Sequence, residues 1–207
     1  MKTSMTMTAL LASASVSMSL SAFAAPAYTA GTYQIDPMHS KVGFEVPHLV
    51  ISSVEGRFDE FQGEFSLAEK FGDSKLAVTI DTKSVDTAIK KRDEHLRSAD
   101  FFDAVKYPKM TFKSKHIEGT PESFTAVGDL TIKGISKEVT LAGKYLGSVK
   151  DGYGNFKAVF QANTKISRKD FGLTWNSLVE AGPVVGDEVT ISLKVQAAKV
   201  AEKHATR

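Results

Sequence analysis

Apolar and polar residues alternate along eight stretches of this chain, and this period of two limits its fold more than any other feature. Alternation places successive side chains on opposite faces of a β-strand. The stretches are 42–50, 54–67, 76–80, 110–114, 124–132, 139–145, 158–166 and 189–197. Short turns rich in Gly and Asp separate several of them. The sequence therefore predicts an all-β fold, an eight-stranded antiparallel barrel.

Two segments depart from the simple alternation. Phe58 and Phe61 lie in opposite phases of the second stretch, which predicts a β-bulge that bends the strand at a barrel corner. The long connection 82–107 joins the third and fourth stretches. Its apolar residues have a three-to-four-residue spacing, which predicts a helical insert. We expect Asp86 or Thr87 to cap the N-terminus of that helix.

The lysines indicate which face of the strands points inward. They dominate the polar phase, as at Lys113 and Lys165. An eight-stranded barrel has an interior wide enough only for side chains or one small ligand, and ammonium groups without carboxylate partners are not buried there. A membrane barrel would also need an outward apolar band with aromatic girdles. We therefore expect the lysines outside and the apolar phase inside.

The first 24 residues have the features of an export signal. Residues 9–23 are small and apolar with interspersed Ser, and Ala22-Phe23-Ala24 matches the small-x-small cleavage rule. The sequence predicts a signal peptide, 1–24, that is cleaved after Ala24, then one domain, 25–207, and a periplasmic location. The apolar stretch is too short and too rich in Ser to span a bilayer, so we expect no membrane-spanning segment.

Composition and motifs argue against several functional classes. The chain has no Cys, which excludes lipid anchoring through Cys, disulfides, thiol catalysis and Cys-ligated metal. A formal net charge of +2 gives no support for nucleic acid binding. The histidines lack metal-binding spacing, and no nucleophile elbow, phosphate loop or dinucleotide fingerprint occurs. We expect neither metal nor cofactor, and not an enzyme.

Six blocks of residues resemble the motifs of the YceI family. The most specific block begins Arg92-Asp-Glu-His-Leu-Arg-Ser-Ala-Asp-Phe-Phe-Asp103, and the opening block reads Tyr33-Gln-Ile-Asp-Pro-Met-His-Ser40. The blocks are 33–40, 56–63, 78–87, 92–114, 128–134 and 168–172. The resemblance covers 33–197 and implies a lipocalin-like barrel with a long apolar tunnel. It implies that the tunnel holds a polyisoprenoid, such as an isoprenoid quinone or polyprenyl phosphate, or another amphiphilic lipid.

The resemblance and the inward phases together predict the residues that line the tunnel. They are Phe44, Phe58, Ile80, Phe101, Phe102, Met110, Phe112, Leu130, Ile132, Phe160, Phe171, Trp175 and Ile191. Interior glycines such as Gly143 either keep space open or mark bends in the strands. The alternative is that the aromatic rings simply fill the barrel by packing against one another.

Three basic residues are candidates for contact with a ligand head group. Arg92 and His95 are three residues apart, so they share one face of the predicted helix. They are placed to meet a phosphate or quinone oxygen at a tunnel mouth, or else they form a solvated helix face. Arg168 is a third candidate, with an ion pair to Asp36 or Asp81 as its structural alternative.

The sequence supports one leading function and two alternatives. The leading hypothesis is a periplasmic carrier that sequesters a long apolar amphiphile in the barrel. The second is a structural or stress-related protein with a self-packed barrel and an apolar surface for a protein partner. The third is catalysis at the helical cap near His95. A homodimer formed through an exposed strand or the cap is compatible with the sequence, although no segment indicates one.

Overall fold

The computed structural model describes residues 28–179 and 182–201, so the predicted signal peptide and its cleavage site lie outside the described residues. Eight strands form the barrel. β1 comprises Gly31–Ile35 and Lys41–His48, β2 Ser52–Phe58 and Phe61–Leu67, β3 Lys75–Asp81 and Val85–Asp86, β4 Lys109–Thr120, β5 Ser123–Ile132, β6 Ile135–Lys150, β7 Phe156–Ser167 and β8 Glu188–Lys199. A single α-helix in the described chain, α1 (Lys90–Arg97), connects β3 to β4, and a two-stranded ladder (Leu178–Val179 with Gly182–Pro183) lies in the connection from β7 to β8.

Each strand pairs antiparallel with the next, and the last strand pairs with the first. β8 contacts both segments of β1, with Leu193 opposite Val42 and Ala197 opposite Ile35. The sheet is therefore a closed barrel with a helical insert between the third and fourth strands. This confirms the fold expected from the alternation. Within the described ranges, the structure contains no helix with the length and hydropathy needed to cross a bilayer.

The first two strands are each broken once. A 3-10 turn, Pro37–His39, interrupts β1, and the Asp36 carboxylate stabilises it by accepting hydrogen bonds from the Met38 amide at 3.1 Å and from Gln196 Nε2 at 3.1 Å. β2 is interrupted at residues 59–60, between the buried rings of Phe58 and Phe61. The predicted β-bulge is therefore wrong. Both rings point inward because β2 stops pairing with its neighbour at residues 59–60. It then resumes backbone pairing with a different part of the sheet.

The helix is shorter than the spacing of apolar residues in the connection 82–107 predicts. It occupies only Lys90–Arg97 of the connection 82–107, and its N-cap residue is Ile89, with no side-chain cap. Thr87 is not a cap because its amide and hydroxyl both donate to the buried Asp93 carboxylate, at 2.9 and 2.6 Å. Asp86 accepts instead from the Ala88 amide at 2.8 Å. These local hydrogen bonds hold the residues before the helix in a turn.

The two ends of the barrel are built differently. We call the end with connections 49–51, 87–108, 133–134 and 168–187 the helix end, and the end with connections 68–74, 121–122 and 151–155 the closed end. Small buried residues such as Ala158 and Ala197 let aromatic rings interdigitate near the closed end. Phe65 stacks on Phe160 there with 5.1 Å between ring centroids, and Phe71 packs beneath Tyr28. Closely packed aromatic rings therefore surround the lumen at this end of the barrel.

Glycines on neighbouring strands make room for two inward-facing rings. Phe44 lies opposite Gly56, and Phe124 lies opposite Gly143. A Cβ atom added at either glycine would overlap the phenyl ring of its partner. The absent side chains therefore let both rings lie across the neighbouring strand, against the barrel wall.

A candidate ligand-binding cavity inside the barrel

The barrel encloses a cavity of about 360 Å³, which lies within the usual range for small-molecule sites, about 300–1,000 Å³. Its walls are almost entirely apolar side chains. The predicted tunnel residues that line it are Phe44, Phe58, Ile80, Phe101, Phe102, Met110, Phe112, Leu130, Ile132, Phe160, Trp175 and Ile191. For the residues on strands, sequence phase and tertiary position agree because alternation decides which side chains enter the lumen, whereas Phe101, Phe102 and Trp175 reach it from connections between strands.

Phe171 does not line the cavity. It ends the 3-10 turn Arg168–Phe171, and its side chain is buried outside the lumen. It lines instead an outer groove of about 340 Å³ beside β6 and β7. The placement of Phe171 in the tunnel is therefore wrong, because no strand periodicity extends to this turn.

The cavity also has walls that the site prediction omitted. Leu193 and Val195 on β8 face the lumen, and their alternation with Lys194 is the signal that would have identified them. Val184 and Val185 reach the cavity from the irregular connection between β7 and β8. No local pattern indicates them, because their position depends on how that connection folds back over the barrel.

Aromatic rings surround the cavity at the helix end. His95 makes edge-to-face contacts with Phe101 and Trp175, with ring centroids 5.0 and 4.9 Å apart. Phe102 contacts Phe58 in the same way at 5.6 Å. α1, the residues that follow it and the connection between β7 and β8 thus supply most of the rings that border the lumen at this end.

Arg92 brings a positive charge to the cavity wall. Its Nε donates to the Thr87 hydroxyl at 2.8 Å and its Nη2 to the Thr87 carbonyl at 2.7 Å. Thr87 is in turn fixed by the buried Asp93 carboxylate. Among the described residues, Nη1 of Arg92 has no hydrogen-bond partner. The guanidinium is therefore held in place with donors to spare.

His95 lies on the same face of α1 and also lines the cavity. Its Nε2 is 3.0 Å from an Asp100 carboxylate oxygen, and its side chain is 40% exposed. The structure thus brings Arg92 and His95 together at one end of the apolar cavity. This arrangement suits a molecule with a long apolar part and a small polar or anionic group.

Arg168 reaches the cavity wall but is fully engaged with the protein. Its five N–H groups donate to the carbonyls of Leu173, Trp175, Val185 and Gly186 and to the Asp187 carboxylate. Burial lowers the pKa of the guanidinium. The expected ion pair with Asp36 or Asp81 is wrong, because Asp36 hydrogen-bonds His39 and Asp81 binds Lys109. Arg168 therefore holds the connection between β7 and β8 and has no free donor for a head group.

The barrel wall between β6 and β7 lacks backbone pairing near the helix end. Backbone pairing of these strands ends at Ala142 and Asn163, short of the helix end. Beyond that point Val139, Thr164 and Ile166 border both the inner cavity and the outer groove. Only side chains, and no ladder hydrogen bonds, separate the lumen from the outside here.

The YceI-like domain family model matches residues 33–197. Protein YceI of Escherichia coli is 40% identical to the chain over 177 residues, which cover 84% of this chain and 90% of that protein. A relative from Yersinia enterocolitica is 38% identical with the same coverage of both chains.

Solved structures share the architecture. The crystal structure of the Campylobacter jejuni YceI protein superposes with a TM-score of 0.66 at 35% identity, over 75% of this chain and 90% of that one. A polyisoprenoid binding domain from Saccharophagus degradans superposes with a TM-score of 0.61, over 83% of this chain and 100% of that one. Its 17% identity shows a common fold alone. The motif blocks, the closed barrel and the extent of these matches agree, and the chain belongs to the YceI family.

Proposed function

We propose that this protein binds a long apolar amphiphile, a polyisoprenoid or similar lipid, inside its barrel and carries or stores it without chemical change. The observation that carries the proposal is the apolar cavity of about 360 Å³ with the Arg92 guanidinium at one end. The apolar chain occupies the lumen, and the polar group lies beside Arg92 and His95.

The hydrophobic effect supplies the affinity in this proposal. Each 100 Å² of apolar surface removed from water contributes about 2.5 kcal/mol. A ligand chain several isoprene units long therefore binds without a dense set of polar contacts, although association entropy offsets part of the gain. The family and the shared fold with the Saccharophagus degradans polyisoprenoid binding domain support this ligand class.

The polar groups at the cavity favour binding over catalysis. Arg168 has all its donors occupied, and the cavity wall is otherwise almost entirely apolar. Among the described lining residues, Arg92 and His95 form the one polar pair on a common helix face. We place the protein in the periplasm on the basis of the export signal in residues 1–24.

The cavity weighs against a self-packed structural barrel. Lumen-facing residues such as Phe44, Ile166 and Ile191 are only half-buried although they lie inside the wall. Interiors that serve packing alone are close-packed with few voids larger than a water molecule. The unfilled lumen is what a ligand site requires.

Native mass spectrometry of the mature protein purified from periplasm tests this function. We expect one bound long-chain amphiphile per protein, which organic extraction then identifies. If the purified protein has the apo mass, polyprenyl phosphate, polyprenol and an isoprenoid quinone are added separately. Uptake of none of them contradicts the proposal and favours a surface that binds a protein partner.

A further inference from the structure

The helix end of the barrel exposes large aliphatic side chains to solvent. Val50 and Ile51, at the tip of the β1–β2 hairpin, are 69% and 91% exposed. Ile89, just before α1, is 52% exposed, and Val105, in the turn after α1, is 87% exposed. Single exposed aliphatic residues are ordinary, but these occupy two connections at one end of the molecule, 49–51 and 87–108.

The hairpin tip presents its side chains at a conformational cost. Leu49 and Val50 have φ angles of 52° and 67°, the left-handed region that a tight hairpin turn requires and that Asn-Gly normally occupies. A β-branched residue is strongly disfavoured there. Every non-glycine residue with positive φ in the described chain lies at the helix end, including Ala88, Asp103 and Lys133. Backbone strain of this kind concentrates at functional sites.

Cationic side chains flank the exposed aliphatic ones. Lys90 and Lys91 follow Ile89, and Lys106 follows Val105. Several acidic residues nearby are engaged: Asp86 pairs with Arg57 at 2.5 Å, Asp100 pairs with His95, and Glu94 lies 4.0 Å from Lys90. In the described part of the chain, Lys91 and Lys106 have no carboxylate partner. Aliphatic side chains surrounded by lysines are typical of protein surfaces that rest on anionic phospholipid.

The cavity reaches this end of the barrel. Its wall includes Pro47, His48 and Val54, which border the hairpin tip on both strands. Exposed apolar residues also occur at the closed end, where Val149 is 63% and Tyr153 is 95% exposed. The cavity wall also includes Phe71 and Ser74 near that end, but the turns with positive φ and the pair Arg92 and His95 lie at the helix end. Contact with a bilayer at the helix end is therefore useful to a lipid carrier.

We propose that the helix end docks on the surface of an anionic phospholipid bilayer, with Val50 and Ile51 inserted among the lipids and Lys91 and Lys106 against the head groups. The proposal deepens the proposed function, on which it rests: it states where the amphiphile passes between membrane and barrel. Docking places the cavity mouth against the bilayer, so the apolar chain enters the lumen without crossing water.

Vesicle binding tests the docking surface. The probe is vesicles of phosphatidylethanolamine and phosphatidylglycerol, free of isoprenoid, with sedimentation as the measurement. We expect the Val50→Ser/Ile51→Ser double variant to partition onto the vesicles at least about tenfold more weakly than wild type does. The matched control, Val149→Ser/Tyr153→Ser, changes two equally exposed residues at the closed end and should bind as wild type does. Raised salt should weaken binding through the lysines.

A second measurement reports insertion directly. The chain has no native Cys, so Ile51→Cys and Tyr153→Cys each accept one environment-sensitive fluorophore. We expect a blue shift with vesicles at position 51 and none at position 153. Equal shifts at both positions, or a loss of sedimentation caused by the closed-end variant, would overturn the proposal.

Uptake of polyprenyl phosphate added from ethanol, without vesicles, separates docking from ligand binding. Wild type and Val50→Ser/Ile51→Ser should take it up equally. Uptake by wild type without any vesicle binding contradicts docking and leaves the carrier function standing. Vesicle binding through position 51 without uptake supports docking and contradicts the carrier function.

Discussion

Arg92 is the residue that gives the cavity its chemical character. Thr87 holds the guanidinium from one side through two hydrogen bonds, and the buried Asp93 carboxylate fixes Thr87. A cation fixed beside an apolar lumen favours an anionic group over a neutral one, because charge-assisted hydrogen bonds are stronger than neutral ones. We propose that, at the scale of residues, contact with Arg92 favours a phosphate over a neutral head group.

We expect Arg92→Gln to weaken binding of polyprenyl phosphate by about tenfold, the effect of losing one charged hydrogen bond. The affinity for polyprenol of the same length should change little, since that ligand carries no charge. Titration calorimetry with both ligands provides the measurement. Lys91→Gln, the neighbouring change outside the cavity, is the control, and equal losses for both ligands would argue against a head-group contact.

Asp81 gives the stability of the protein a dependence on pH. A hydrogen bond from the Lys109 ammonium, together with one from the Lys83 amide, lowers the pKa of the Asp81 carboxyl. Since the folded-state pKa is depressed, the ionised carboxylate stabilises the fold above its unfolded-state pKa of about 3.9. That contribution is lost as the pH falls through the folded-state pKa.

Asp81→Asn should therefore lower the free energy of unfolding by about 1 kcal/mol at pH 7 and by much less near pH 2. Asn can still accept the Lys83 amide hydrogen bond, so the change isolates the charge. Urea unfolding at both pH values measures the difference. Lys109→Met removes the same pair from the other side and should behave alike; a loss that is independent of pH in both variants would refute this account.

At the scale of elements, the connection between β7 and β8 depends on one buried side chain. Arg168 is 4% exposed and donates to the carbonyls of Leu173, Trp175, Val185 and Gly186. It thereby positions the Trp175 ring and the Val184–Val185 segment at the cavity. A residue considered for head-group contact acts instead as the support of the cavity wall.

Arg168→Ala should lower the free energy of unfolding by about 3 kcal/mol or more, because several buried carbonyls lose their donors. Urea unfolding followed by Trp175 fluorescence measures both stability and the position of this connection. Lys169→Ala removes a neighbouring exposed ion pair with Asp187 and should cost about 1 kcal/mol or less. Similar losses in the two variants would contradict the structural role of Arg168.

At the scale of the whole molecule, the cavity extends along the barrel and its two ends differ in character. Small buried residues and packed aromatic rings surround the lumen near the closed end, whereas Arg92 and His95 border it at the helix end. The positive-φ turns outside glycine all lie at the helix end in the described chain, together with the pair Arg92 and His95. We therefore propose that the helix end is the end adapted to binding.

Filling the lumen should abolish binding and leave the fold intact. Ala162 faces the cavity between Gly143 and Leu193 on the neighbouring strands, so Ala162→Phe directs a ring into the lumen. We expect native mass spectrometry to show loss of bound polyprenyl phosphate, with the β-sheet circular dichroism unchanged. Gln161→Phe places the same ring on the outer face as the control, and full ligand occupancy in Ala162→Phe would place the ligand elsewhere.

Alternation predicted the barrel, its strand number and the strand residues of the predicted tunnel that line the cavity, because side-chain direction in a strand repeats every two residues. It failed where the chain leaves that period. Phe171 and Val184 lie in turns, the break after Phe58 depends on the corner of the barrel, and the length of α1 depends on the Thr87–Asp93 hydrogen bonds. At these positions contacts between distant residues outweigh local preference.

The sequence alone determined the strands, the face of each that points inward and the family, because period and motif are properties of residues near one another in the chain. The tertiary structure alone decided that the interior is hollow, that Arg92 keeps free donors and that Arg168 does not. A cavity is the space left when side chains from eight strands and their connections are brought together. A free donor is likewise one that the fold has not used, and both are properties of the assembled barrel.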